Sequence, residues 1–148
     1  MDSVTVIYWG ADWAWGMPLI LLTVIFHASG LGFINKRIMS RIEGVTWPRN
    51  PSFASIFVMG GTALWAILLH GFECVLWAFA YRLLGASQDN KSAVLYSLGA
   101  MTTYGHGNFQ LAPHWRLMGA LEALNGWILF GLTTAFLFSI MQKAWPRT

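Results

Sequence analysis

The sequence predicts an all-α membrane protein with three transmembrane helices and a shorter apolar helix that enters the membrane and turns back. Three observations predict it. The chain has 148 residues, of which 56% are hydrophobic and only 10% charged, well outside the balance of a soluble domain. The stretches Met17 to Ile34, a segment inside Phe53 to Leu84, and Leu117 to Met141 reach the roughly 20 apolar residues that a crossing needs. A fourth stretch, Ser92 to Thr103, carries no charge but rises only ~18 Å as a helix, about half of what spanning requires.

The first element is preceded by Tyr8, Trp9, Trp13 and Trp15, amphipathic rings expected at a headgroup interface ahead of the first span. Asp2 and Asp12 without any Lys or Arg are unlike a secretory signal peptide, so the N-terminus is expected to be retained. Trp47-Pro48-Arg49-Asn50-Pro51 breaks the chain before the second span, because two prolines so close do not fit inside one helix. A short interfacial piece is expected there.

Gly85-Ala86-Ser87-Gln88-Asp89-Asn90 ends the second span as a turn-rich loop, with Asp89 or Asn90 as N-cap of the short helix. Phe109 to His114 is a second short loop, and Trp115 and Arg116 open the last span. With no internal repeat, the chain reads as one membrane domain. Residues 1–52 supply an interfacial segment, an extra helix and a basic loop, and residues 53–148 the remainder.

Lys36, Arg37, Arg41 and Arg49 lie between the first two spans, and Lys143 and Arg147 follow the third. Because such residues stay on the cytoplasmic side, the N-terminus is expected outside and the C-terminus inside, in a multi-pass protein of the cell membrane. Topology, with anionic lipid near the inner loop, accounts for the net charge of +3 without a nucleic-acid partner. Cys74 is the only cysteine, which excludes an intrachain disulfide and a cysteine-based metal site.

The stretch Thr102-Thr103-Tyr104-Gly105-His106-Gly107-Asn108 has glycines at alternate positions and is not expected to be helical. Irregular backbone at membrane depth survives only where protein buries it or water reaches it, so this segment should line a pathway. Alternating glycines let the carbonyls of a stretched chain point to one side. A ring of such carbonyls replaces the hydration shell of a cation.

These residues resemble the selectivity filter of the potassium channel pore-domain family, which reads T-T-x-G-Y-G-D. The resemblance runs from about Met59 to Met141 and includes Trp115-Arg116-Leu117 and Phe130-Gly131-Leu132-Thr133-Thr134-Ala135. It implies a passive cation channel, most simply for potassium, whose ion is held by backbone oxygens of Thr103, Tyr104, Gly105, His106 and Gly107. One re-entrant loop cannot surround an ion, so a closed assembly is required, and the resemblance implies a homotetramer. The C-terminal end of the short helix would then aim its partial negative charge at a central cavity. The family's inner-helix hinge glycine is matched by Gly126 and Gly131.

Tyr104 stands where the family has Val or Ile, His106 where it has Tyr, and Asn108 where it has Asp. A changed cuff of side chains leaves open a weakly selective or sodium-permeable channel, and beyond it a non-conducting membrane scaffold or subunit that keeps the fold. His106 titrates near pH ~6.5 when unperturbed, so pH-sensitive conduction is one reading; a neutral His106 bonded to the short helix, for instance to Tyr96, is the other. Thr102, Tyr96, Asn108 and Glu122 are the candidate supports of the filter. Trp127, Phe130 and Thr134 share one helix face, open either to the cavity or to packing between helices.

Ionisable residues inside a membrane need a reason. Glu73 and His70 lie one turn apart and form a candidate interhelical polar clamp. Gly119, Ala123 and Gly126 make one side of the last span small, as close helix packing demands. His27 and His70 together raise haem ligation, although no Cys-x-x-Cys-His motif accompanies them, and a hydrogen-bonded helix contact is the simpler role. No nucleophile elbow, phosphate loop or zinc-type spacing is present. No enzyme activity and no resident cofactor are expected, only a monovalent permeant ion.

Overall fold

The computed structural model describes residues 3–42, 53–105 and 109–144. Helix α1 covers Ser3–Ile42, α2 Phe53–Leu83, α3 Asn90–Met101 and α4 Arg116–Ala144, the last preceded by a 3₁₀ turn at Pro113–Trp115. No strand occurs among the described residues. Three helices are long and apolar enough to cross a membrane, over Trp9–Ile38, Ser55–Leu83 and Pro113–Lys143.

The order of side-chain contacts fixes the helix directions. On α1 and α4, Asp12 meets Met118, Thr23 meets Asn125 and His27 meets Thr133, so the two helices run the same way. Against α2 the order reverses, with His27 at Glu73, Gly30 at Trp65 and Phe26 on Phe72. Three passes in alternating directions follow, as a chain crossing three times must make. Helix α1 shares its core with both others and packs mainly on α4.

Helix α1 is longer than the first apolar stretch implies. Trp9, Trp13 and Trp15, expected ahead of the span, lie inside it with exposed side chains, and Pro18 is accommodated within it. A single proline removes one backbone bond, and membrane helices tolerate that loss. Asp12 also lies within α1. It is buried, and its carboxylate accepts from the Met118 N–H at 3.1 Å, satisfying one of the donors that the start of α4 leaves open. The Trp47–Pro51 break and its interfacial piece lie outside the described residues.

The α2–α3 connection turns tightly at Gly85, whose φ of 66° suits a residue without Cβ. The Ala86 and Ser87 N–H groups both return to the Tyr81 carbonyl, and Arg82 bonds the Ser87 carbonyl at 2.6 Å and Asn90 Oδ1 at 2.9 Å. Asp89 is the N-cap of α3, accepting from the Ser92 N–H at 2.9 Å. Hydrogen bonds from the Ser92 hydroxyl and then its N–H hold the exposed Asp89 carboxyl below its ordinary range. The sign is therefore that of a lowered acid, with the cap complete above the unfolded value and lost as pH falls through the folded one. Replacing Asp89 by Ala is expected to speed amide exchange over residues 90–93 at neutral pH, and acidification should do the same to the wild type but not to the variant.

Helix α3 starts at the end of the bundle where α4 also starts and descends alongside it, with Tyr96 at Gly119, Ser97 at Glu122 and Met101 at Gly126. It ends two residues before the apolar stretch does, because Thr103 turns to a φ of 55°. Residues 109–112 lead into the turn at Pro113, and the Ala112 N–H meets the Ala86 carbonyl at 2.9 Å.

Candidate functional site

The residues read from the sequence as ion ligands begin where α3 stops. Thr102 caps the helix with its N–H on the Leu98 carbonyl at 3.1 Å, and its hydroxyl bonds the same carbonyl at 2.6 Å. The Thr103 N–H reaches Ala100 at 3.0 Å and the Gly105 N–H reaches Gly99 at 3.3 Å. Residues 102–104 are thus a hooked turn and not the stretched run that alternating glycines predict. Thr103 at φ 55° is an unusual left-handed conformation for a β-branched residue, and Gly105 follows at φ 96°. Conformations of this kind cost on the order of 1–3 kcal/mol and gather at functional sites. The Tyr104 side chain is 91% exposed. His106, Gly107 and Asn108, and with them the expected pairing of His106 with Tyr96, lie outside the described residues.

Behind the turn is a dense anchor. Tyr96 is buried, its ring standing edge-on to Tyr81 at 5.6 Å and its hydroxyl filling the space above Gly119, where any Cβ would overlap it. Gly126 plays the same part for backbone, since a Cβ there would collide with the carbonyl of Met101. The smallness of this side of α4 is accordingly a packing device against α3. Gly131 by contrast has no neighbour within 4 Å of its missing Cβ.

Glu122 is fully buried and joins three elements. Its carboxyl accepts from the Tyr81 hydroxyl of α2 at 2.6 Å and is bonded to the Ser97 hydroxyl of α3, which also lies 2.8 Å from the Cys74 carbonyl. Ser97 has one proton, so it cannot donate to both. All three contacts are satisfied when Glu122 itself carries a proton and donates to Ser97, leaving Ser97 to donate to Cys74. A neutral carboxyl at this depth also avoids burying an unpaired charge. The Cys74 thiol completes the anchor on Met101 Sδ at 3.5 Å.

Of the three residues placed on one face of α4, Trp127 is 71% exposed and Thr134 is also exposed, its hydroxyl on the Phe130 carbonyl at 2.8 Å. Phe130 is shared, with its ring stacked on His70 at 4.3 Å. A hollow of about 530 Å³ opens beside the hooked turn, lined by Leu95, Leu98, Gly99, Tyr104, Gly105 and Phe109 among others.

Deeper in the bundle the expected His70–Glu73 pair exists at 3.4 Å, and His27 joins it. His27 bonds Glu73 at 2.8 Å through Nδ1 and Thr133 at 2.9 Å through Nε2, while His70 Nε2 lies 3.2 Å from Thr133 Oγ1. Sequence reasoning missed Thr133, Tyr81 and Ser97 as partners. The one available signal was that each is a polar side chain inside an apolar stretch, which in hydrocarbon must find another polar group.

Three long apolar helices with a fourth, shorter helix packed on them through buried Tyr96 and Glu122 make an all-helical membrane protein. An ion channel family model matches residues 69–143, just over half of the chain, and the chain belongs to that family. It is a multi-pass membrane protein of the channel class and not an enzyme. No curated protein and no solved structure matches the sequence.

Proposed function

We propose that four copies of the chain form a passive cation channel, with potassium the favoured ion, around backbone oxygens of Thr103, Tyr104, Gly105, His106 and Gly107. The observation that carries this reading is that α3 stops level with Gly126, the chain hooks through positive φ angles at Thr103 and Gly105, and Ala112 lies back at Ala86, beside the start of α3. Such a path supports a re-entrant pore helix followed by a filter loop. The exposed Leu95, Leu98 and Trp127 beside the turn are the surfaces that neighbouring copies cover. Membership of an ion channel family supports the permeation itself.

In this arrangement residues 53–148 are the pore domain, and α1, from the 1–52 segment, braces it on the side of α4. The N-terminus lies outside the cell membrane and the C-terminus in the cytoplasm, as the Lys and Arg distribution requires. Glu122, Tyr96 and Thr102 hold the filter's base through α3. Asn108 belongs to its outer rim, and Trp127, Phe130 and Thr134 face the inner cavity. The hinge role of Gly131 fits its unobstructed position, whereas Gly126 is occupied by packing.

The test is the assembly mass in detergent together with flux from liposomes in which potassium or sodium is the only gradient, for the wild type and His106→Tyr. Four chains and potassium flux are expected. Sodium flux that gives way to potassium preference in the variant would assign relaxed selectivity to His106, and a silent tetramer in both would favour a non-conducting subunit.

A further inference from the structure

Glu73 is a fully buried carboxylate, and among the described residues its ion-pair partners are the two histidines alone. An ionisable side chain at this depth needs polar partners. Two atoms of the cluster, Glu73 Oε2 and His70 Nδ1, are buried and have no hydrogen-bond partner, yet they face each other 3.4 Å apart. Two ligands each about 2.0–2.1 Å from a tetrahedral zinc ion stand ~3.4 Å apart. One ligand atom from each of His27, His70 and Glu73 falls within 4.8 Å of the others.

From this convergence we infer that His27, His70 and Glu73 form a binding site for a divalent transition ion of the zinc type, set where α1, α2 and α4 meet. Both histidines present Nδ1 to the ion. Their Nε2–H groups then both donate to Thr133 Oγ1, at 2.9 and 3.2 Å, whose two lone pairs accept one bond each. Such an outer partner fixes the tautomer and orientation of a ligating histidine. Without the ion, His27 carries its proton on Nδ1, donates to Glu73 and accepts from Thr133, so loading requires a change of tautomer but no change of fold. The fourth position is left to the second Glu73 oxygen or to water.

The set contains two imidazoles and one carboxylate, the ligand mix that suits zinc over calcium or magnesium. It has a route in. A groove of about 280 Å³ runs between α1 and α4, lined by Ala28, Leu31, Gly32, Asn35, Leu132 and Phe136. Ala28 and Leu132 are the chain neighbours of His27 and Thr133. A bound ion would fasten the extra helix α1 to α2 and α4 through a single centre.

The test uses full-length protein in detergent, stripped with chelator and dialysed against zinc chloride, with metal content measured per chain. One zinc per chain is expected, its affinity falling by more than the about ten-fold that loss of a mere supporting partner costs for Glu73→Gln, His70→Gln and His27→Gln, and unchanged for the exposed His114→Gln. Cobalt(II) added to the stripped wild type is expected to give the strong visible absorption of a four-coordinate ion, a readout that needs no variant to fold. No stoichiometric metal, a cobalt spectrum of the hydrated ion, or zinc retained equally by all three variants would overturn the site. None of these readouts involves flux, so the site can fail while the channel reading stands, and the reverse.

Discussion

Gly126→Ala is expected to abolish cation flux and weaken the assembly, although it adds a single methyl group. The new Cβ would fall on the Met101 carbonyl, which is backbone and cannot swing away as a side chain would. Helix α3 would have to move off α4 at the point where it hands the chain to Thr102. Overpacking of this kind costs ~1–3 kcal/mol, about ten-fold in an equilibrium for each 1.4 kcal/mol. Displacing carbonyls that must sit at ion-coordinating distance is costlier for conduction than for folding. Gly131→Ala is the matched control, because open space lies above it and alanine favours a helix over glycine by ~0.5–1 kcal/mol. Its melting temperature in detergent is expected to hold or rise. Comparing the two variants by melting temperature and liposome flux separates packing from hinge. Equal stability of both would remove the close α3–α4 contact from the account.

Glu122→Ala is expected to destabilise the bundle by about 2–4 kcal/mol, since it strips the Tyr81 and Ser97 hydroxyls of a buried partner and leaves a cavity. Hydrogen bonds between membrane helices average ~0.6 kcal/mol and reach ~1.7, so the upper part of that range comes from the unpaired groups and the void. Glu122→Gln is expected to be nearly silent. Its amide oxygen accepts from Tyr81 and its N–H donates to Ser97, reproducing the protonated carboxyl that the proton count requires. Thermal melts of both variants in one detergent decide it. A glutamine variant as unstable as the alanine one would mean that Glu122 is held as a carboxylate.

How much of this was legible beforehand varied with the type of signal. Apolar length gave the three helices long enough to cross and the short fourth, and turn chemistry narrowed the cap to Asp89 or Asn90, of which Asp89 is the one. The start of α1 was misplaced because tryptophans that anchor at an interface are equally at home on the outer turns of a continuing helix. The small residues Gly119 and Gly126 announced close packing, but not that their partners were the Tyr96 hydroxyl and the Met101 carbonyl. Such pairings arise from helix register, which composition does not carry. Nothing local to Asp12 reveals that the N–H of Met118, 106 positions later, will need an acceptor. The His27–His70–Glu73 cluster shows the same limit. Its members were each conspicuous in apolar surroundings, but only the three-helix arrangement brings them onto one point with Thr133.

The central claim is that the hooked segment after α3 carries cations, and the most direct measurement is the reversal potential of purified protein in a planar bilayer with potassium on one side and sodium on the other. A current is expected whose reversal lies towards potassium, and it should vanish in Gly105→Ala, because alanine at φ 96° is strained by on the order of 1–3 kcal/mol. A well-assembled protein that passes no cations, or a cation current untouched by Gly105→Ala, would contradict the account.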